Sequence, residues 1–179
     1  MGKKIRVKNL YTPAVAATET LLTTIADVNG CVSLPIHVGQ VLSRMGLKAG
    51  TMYLDSNISG LLVKDKPGEP FKAVSNVMSY QYQKRFTYAH ELGHYVHTYQ
   101  DLPDDRIVGR TEKNTELSSL GSNPEEIWAN KYAEALLMPA SIVRDYWAQG
   151  LSLLAMSSLF DESYAAISNR LASLHLYMR

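Results

Sequence analysis

Residues 80–99 contain no proline and have the apolar spacing of a helix. Within this segment His90 and His94 are four residues apart, and Glu91 directly follows the first histidine. Residues four apart on a helix lie one turn apart on the same face. More than any other feature, this segment restricts what the chain can fold into, because one helix face must accommodate two imidazole side chains.

Two imidazoles on one helix face can bind a single metal ion, with Zn–N distances of about 2.0–2.1 Å. Glu91 is offset by one residue, so its carboxylate flanks the ion instead of binding it. A carboxylate in that position can act as general base toward a water that zinc has acidified to a pKa of roughly 7. The segment therefore predicts a catalytic zinc site with His90 and His94 as ligands. The alternative is a chance grouping of polar residues on an amphipathic helix.

A catalytic zinc site needs a third protein ligand, and His97 is one candidate. It follows His94 by three residues, but three ligands on one straight helix would crowd one side of the ion. The metzincin class requires glycine at position 97 and histidine at position 100. This chain has His97 and Gln100, which excludes that class.

A second predicted helix, over residues 124–138, offers other candidates. Glu126 can bind the metal, and Asn130 shares its face and can accept a hydrogen bond from the second ring nitrogen of a ligating histidine. Glu125 and Glu134 remain rival ligands. Acidic residues are also favoured at a helix N-terminus by the helix dipole alone.

The remaining pattern predicts one α+β domain over residues 1–179, with a small antiparallel sheet packed on several helices that include the two metal-binding ones. Residues 1–10 are expected to form an arm or edge strand, and residues 101–123 a long polar loop. The other predicted helices cover residues 12–30, 35–46, 140–148, 152–160 and 163–174, and the strands cover 51–55, 58–64 and 71–76. The first two helices could form a helix-turn-helix, but sparse basic residues favour an ordinary packed pair.

The charge and cysteine content exclude some functions. A net charge of +1 is too small to indicate nucleic acid or a membrane surface as a partner. No apolar run reaches the length of a membrane span. Cys31 is the single cysteine, which is typical of a reducing compartment, and we expect a cytoplasmic protein.

Two blocks of sequence carry a family resemblance. Residues 85–94 read Arg-Phe-Thr-Tyr-Ala-His-Glu-Leu-Gly-His, and residues 126–139 read Glu-Ile-Trp-Ala-Asn-Lys-Tyr-Ala-Glu-Ala-Leu-Leu-Met-Pro. Together they resemble the paired signature of the ImmA/IrrE family of metallopeptidases, with Tyr132 where that family usually has phenylalanine. Weaker similarity extends over residues 35–175.

The resemblance implies a zincin-like fold of the gluzincin type and a Zn²⁺ ion held by His90, His94 and Glu126, with Glu91 as catalytic base. It thus selects Glu126 among the rival ligands. Family members occur in bacteria, phages and mobile elements. Several of them cleave a helix-turn-helix repressor and so switch on stress or excision genes. The implied partner is such a repressor or an antitoxin-like regulator, with no direct contact to nucleic acid or membrane.

Other readings stay open at this point. The domain could be a peptidase fold that regulates its partner by docking without cleavage, or a zinc-stabilised structural domain. Structural zinc sites usually have four protein ligands, often cysteines, which argues against the second. The segment 101–123 is hypothesised to form a wall or lid of the substrate groove. The candidates for stabilising a developing oxyanion are Tyr88, Tyr95, Tyr132, Arg106 and Arg110.

Overall fold

The computed structural model of the protein describes residues 6–7, 11–113 and 123–176. These residues form α-helices, one π-helical segment and a four-stranded sheet, so the predicted α+β class is confirmed. The α-helices are α1 (Pro13–Thr24), α2 (Val38–Arg44), α3 (Gln81–His94), α4 (Pro124–Leu137), α5 (Ala140–Ala148), α6 (Leu153–Phe160) and α7 (Tyr164–Ser173). The strands are β1 (Lys48–Met52), β2 (Ile58–Lys64), β3 (Lys72–Asn76) and β4 (Val108–Lys113).

Local side-chain chemistry sets the ends of α1. Its first turn is capped by Thr12, whose Oγ1 accepts a hydrogen bond from the Val15 backbone at 3.4 Å. The helix ends at Thr24, well before the predicted residue 30. There, Oδ1 of Asp27 accepts hydrogen bonds from the backbone N–H groups of Asn29 and Cys31, at 2.8 and 2.9 Å. An aspartate that satisfies backbone donors just after its own position forms a turn in place of further helix.

The sheet has the strand order β1-β3-β2-β4. β2 is antiparallel to both of its neighbours, but β1 and β3 are parallel, so the sheet is mixed and the predicted antiparallel sheet is wrong in this pair. The reason is that β3 lies between β1 and β2 in the sheet. The segment that joins β1 to β2 therefore crosses over the position of β3 instead of forming a hairpin. Asn76 holds this crossing, since its Nδ2 donates to the carbonyls of Leu54 and Ile58, both at 3.1 Å.

Strand β4 lies inside the segment that was predicted to be a long loop. It pairs with β2 at one edge of the sheet. Its sequence, Val-Gly-Arg-Thr-Glu-Lys, has no alternation of apolar residues and is rich in charged ones, a composition that is common in edge strands. The turn before it is attached to the end of β2, where the buried Lys64 donates to the carbonyl and Oδ1 of Asp104, both at 2.7 Å. Residues 114–122 of the predicted loop lie outside the described residues.

After α3 the backbone continues as a π-helix over Tyr95–Tyr99. The next residue, Gln100, is buried, and its amide group binds both backbone groups of Val7: Oε1 accepts from the Val7 N–H at 3.1 Å, and Nε2 donates to the Val7 carbonyl. The Gln100 side chain thus makes the hydrogen bonds to Val7 that a neighbouring strand would otherwise make. Of the predicted N-terminal arm, only residues 6–7 lie within the described part of the chain.

Helix α3 lies between two layers. One side packs on β2 and β3, and the other packs on α4, which in turn packs on α1. The largest fully buried side chains form the core around these contacts: Ile36, Leu42, Met45, Leu62, Leu92, Tyr95, Tyr132, Leu136, Leu137, Met138, Met156 and Phe160. Burial of one such side chain is worth about 1.5–3 kcal/mol, so the position of α3 is fixed by both layers.

Candidate metal centre

Three potential metal-binding side chains meet where α3 contacts α4. The Nε2 atoms of His90 and His94 are 2.9 Å apart, and Oε2 of Glu126 lies 3.2 Å from the first and 3.5 Å from the second. Within the described residues, these three form a group that could hold a metal ion. The two histidines come from successive turns of α3, and the carboxylate comes from the first turn of α4.

The spacing of the three donor atoms fits a tetrahedral ion. Around an ion with bonds of about 2.0–2.1 Å, neighbouring ligand atoms lie about 3.3–3.4 Å apart. The observed separations of 2.9, 3.2 and 3.5 Å fall on either side of that value. Three protein donors leave the fourth vertex of the tetrahedron for another molecule, and a catalytic metal site has such an open position.

Asn130 determines which ring nitrogen of His90 carries a proton. Its Oδ1 lies 2.8 Å from Nδ1 of His90. An amide oxygen only accepts hydrogen bonds, so Nδ1 carries the proton and donates it. In the neutral imidazole Nε2 then presents its lone pair toward His94 and Glu126. Asn130 therefore makes the contact that its spacing from Glu126 suggested.

Glu126 has the most exposed of the three side chains, although its Oε2 atom is itself buried. The side chains of His90 and His94 are each 1 % exposed, whereas that of Glu126 is 17 % exposed. Glu126 lies in the first turn of α4, next to Asn123, whose Oδ1 caps the helix by accepting from the Glu125 backbone at 3.0 Å.

A close contact between α3 and α4 allows Glu126 to reach the histidines. A Cβ atom on Gly93 would lie 3.1 Å from Cδ1 of Tyr132 and 3.2 Å from Cα of Ala129. The spacing of two packed helices depends on the side chains at their contact. A glycine inside a helix costs about 1 kcal/mol relative to alanine, and this contact is the structural reason for that glycine.

Glu91 is offset from His90 by about 100° around α3, which turns its side chain toward the sheet. It is fully buried, and a Cβ atom on Gly60 of β2 would lie 3.3 Å from its Oε1. The carboxylate thus lies beside the metal-binding face of α3 and close to the backbone of β2. Thr87, one turn earlier on α3, is buried against the same point of β2.

The rival ligands lie outside the group of three donors. The ring of His97 stacks on Trp128, with centroids 4.4 Å apart and an interplanar angle of 25°. Glu134 lies deeper along α4 and interacts electrostatically with Arg170, which donates through Nε to the carbonyl of Met138 at 2.9 Å. Glu125 precedes Glu126 but is not in the group either.

The three tyrosines considered for oxyanion stabilisation are committed elsewhere. The Tyr88 hydroxyl donates to the Gly50 carbonyl at 2.9 Å and accepts from Ser75. The Tyr132 hydroxyl donates to Thr20 at 2.8 Å, and burial raises its pKa. Burial also raises the pKa of Tyr95 to about 12, and its ring packs edge-on against Phe71.

The two arginines give no support to that role. Arg106 is exposed in the turn before β4, and the side chain of Arg110 lies outside the described part of the chain.

Sequence reasoning missed the contribution of Gly60 and Thr87 to this region. A signal was present, because a glycine within an apolar strand indicates that another part of the chain approaches its backbone closely. The sequence could not indicate which segment approaches it.

Within residues 6–7, 11–113 and 123–176, no helix combines the length and the apolar composition that a membrane span requires. Comparison with curated proteins gives no match. The family model described as the IrrE N-terminal-like domain of peptidase family M78 matches residues 75–172, a region that contains α3, α4 and all three donors.

Proposed function

The chain belongs to peptidase family M78, and from this premise we propose that it is a zinc-dependent endopeptidase that cleaves a protein partner in the cytoplasm. The observation that carries the proposal is the convergence of His90 Nε2, His94 Nε2 and Glu126 Oε2 within 3.5 Å of one another. Two imidazoles and one carboxylate with an open fourth position are the ligand set of a catalytic zinc site. A buried structural zinc site would usually have four protein ligands.

The role of each residue follows from its chemistry. His90, His94 and Glu126 would hold the ion, and Asn130 would keep the His90 ring in the required tautomer through its 2.8 Å contact. A bound zinc ion supplies Lewis-acid polarisation of the scissile carbonyl and lowers the pKa of a water molecule. The His₂Glu set would also accept other first-row divalent ions. We propose zinc because the spacing of the three donor atoms fits a tetrahedral ion.

Glu91 would act as the general base. Its carboxylate would accept the proton of the attacking water and later deliver it to the amine of the leaving peptide. Because Glu91 is fully buried, its carboxylate is held by packing instead of moving in solvent. General acid–base catalysis contributes about 10²–10⁴-fold to a rate.

We propose a helix-turn-helix repressor or an antitoxin-like regulator as the substrate. The resemblance to ImmA/IrrE proteins supports this choice, since several of them cleave such repressors. The net charge of +1 gives no reason to expect nucleic acid as the partner instead. The 17 % exposure of Glu126 is consistent with a substrate that approaches near the start of α4.

The test compares the wild-type protein with Glu91→Gln, both loaded with zinc. Each is incubated with purified helix-turn-helix repressors as candidate substrates, and fragments are identified by mass spectrometry. We expect cleavage by the wild type and a loss of about 10²–10⁴-fold in Glu91→Gln, with one zinc per chain in both by emission spectrometry.

Binding of the repressor without cleavage by either protein would favour a docking function. Neither cleavage nor binding would refute the choice of partner. Full cleavage by Glu91→Gln would exclude Glu91 as the base.

A further inference from the structure

Gly60 lies at the point where α3 is closest to the sheet. A Cβ atom on this residue would overlap the Cγ2 methyl of Thr87 and would lie 2.9 Å from the carbonyl oxygen of Val74. Val74 belongs to β3, which pairs with β2 next to this position. The space that a side chain would need is therefore already filled by a helix residue on one side and by strand backbone on the other.

The helix residues that fill this space include the proposed base. Thr87 and Glu91 are four residues apart and so face the sheet together. Both are buried, and Oε1 of Glu91 lies 3.3 Å from the position of a Gly60 Cβ atom. The carboxylate of Glu91 thus lies close to Gly60, where a side chain on the strand would touch it.

We infer that Gly60 and Thr87 are positioning residues for Glu91: the missing side chain lets α3 settle onto β2, and the Thr87 methyl fixes how deep it settles. This inference rests on the proposed peptidase function. It separates two requirements of the site. The contact with β2 sets the direction of the base, whereas the metal-binding atoms depend on the contact between α3 and α4.

The test uses Gly60→Ala and the double variant Gly60→Ala/Thr87→Ser, which removes the overlapping methyl. Gly50→Ala is the matched control, because it is also a strand glycine and its nearest Cβ neighbour would be Cγ2 of Val74 at 4.0 Å. The readouts are zinc affinity, the thermal midpoint, kcat and KM on fluorescein-labelled casein, and the affinity of the cobalt-loaded proteins for acetohydroxamate. This chelator offers donor groups to a carboxylate beside the metal, and Glu91→Gln calibrates its response.

We expect Gly60→Ala to lower kcat about 10²-fold, the cost of displacing a reacting group by about 1 Å, with KM and zinc affinity unchanged. It should also weaken the binding of acetohydroxamate to the affinity measured for Glu91→Gln. The double variant should recover about tenfold of the lost kcat, since the Val74 carbonyl still resists the new methyl. Gly50→Ala should match the wild type. If Gly60→Ala does not fold, Thr87→Ala takes its place, with the same expected loss of kcat at full zinc content.

Wild-type kcat in Gly60→Ala would overturn the inference, as would a parallel loss of zinc or no recovery in the double variant. The inference would also be overturned if the affinity for acetohydroxamate fell in Glu91→Gln but not in Gly60→Ala. If the affinity changed in neither variant, Glu91 would not be close to the metal, and the inference would fail. A zinc-loaded wild type that cleaves neither casein nor the repressor would instead contradict the proposed function, and the acetohydroxamate result would still decide on Gly60.

Discussion

The two sides of α3 contact different elements, and on each side a glycine allows the close approach. On the α4 side, Gly93 lets two helices approach until a carboxylate from one reaches two imidazoles of the other. On the sheet side, Gly60 lets a strand approach the same helix until its backbone lies close to Glu91. In the first contact the glycine is on α3, and in the second it is on the partner element. The helix therefore carries residues for both roles, but each role depends on a different neighbour.

This comparison teaches that metal binding and turnover should be separable by mutation. Changes at the α4 contact should reduce metal affinity, and turnover should fall only because less metal is bound. Changes at the sheet contact should reduce turnover with the metal still bound. The variants below test the α4 side and then a part of α3 that belongs to neither side.

The largest effect is expected for His94→Ala. One of three donors is lost, so metal affinity should fall by more than the about 10–100-fold that changes around the ligands produce. Zinc content after dialysis measures this directly. Zinc should also stop raising the thermal midpoint, a stabilisation worth about 4 kcal/mol at a thousandfold excess over Kd. His97→Ala is the control and should keep its zinc, because His97 stacks on Trp128 outside the group. Unchanged zinc in His94→Ala would refute the site.

Asn130→Ala should have the next largest effect. Removal of the acceptor 2.8 Å from His90 Nδ1 frees the ring to adopt the other tautomer. Zinc affinity should fall about 10–100-fold while the fold is retained. Competition with a chelator of known affinity measures the change. Asn130→Asp retains an oxygen acceptor and should bind zinc nearly as well as the wild type. Equal affinities in all three proteins would show that Asn130 does not orient His90.

Gly93→Ala should reduce zinc affinity about tenfold, because α4 and with it Glu126 must move away by a few tenths of an ångström. Stability should change less: helix propensity gains about 1 kcal/mol, and overpacking costs about 1–3 kcal/mol. Gly39→Ala in α2 is the control, since a Cβ atom there would have no neighbour within 4 Å. It should be stabilised by about 0.5–1 kcal/mol with normal zinc binding. A Gly93→Ala protein with lower kcat but full zinc affinity would break the division between the two sides.

The smallest effect concerns a third contact of α3, between Arg85 and the turn that joins α6 to α7. Arg85 binds Asp161 and lies 3.7 Å from the buried Glu162. Burial raises the pKa of Glu162 to about 7, Arg85 opposes this shift and Asp161 adds to it. The folded state then binds a proton more tightly than the unfolded state, so stability falls as the pH rises from about 4.5 to 7.

Glu162→Gln stays neutral and should lose this pH dependence. At pH 8 its free energy of unfolding should exceed that of the wild type by on the order of 1–3 kcal/mol, and at pH 4 the two should be alike. Urea unfolding at both pH values is the measurement. Zinc affinity should not change. If the wild type were more stable at pH 8 than at pH 5, and Glu162→Gln removed this difference, the raised pKa of Glu162 would be contradicted.

Much of the local structure could be predicted from the sequence. The strand over residues 58–64 and the helix over residues 140–148 have the predicted bounds, and serines at positions 152 and 163 cap α6 and α7. These features depend on neighbours a few residues away. The strand β4 and the parallel pairing of β1 could not be predicted, because each depends on partners far along the chain.

The sequence by itself placed His90 and His94 on one face of a helix, since a spacing of four residues has the same consequence in any α-helix. It also supplied the two blocks that identify the family. Only the tertiary structure decided that Glu126 reaches these histidines and that Glu91 lies close to Gly60. Both contacts join residues whose separation in the chain carries no distance information, and both exist because α3 is held between α4 and the sheet at spacings that two glycines permit.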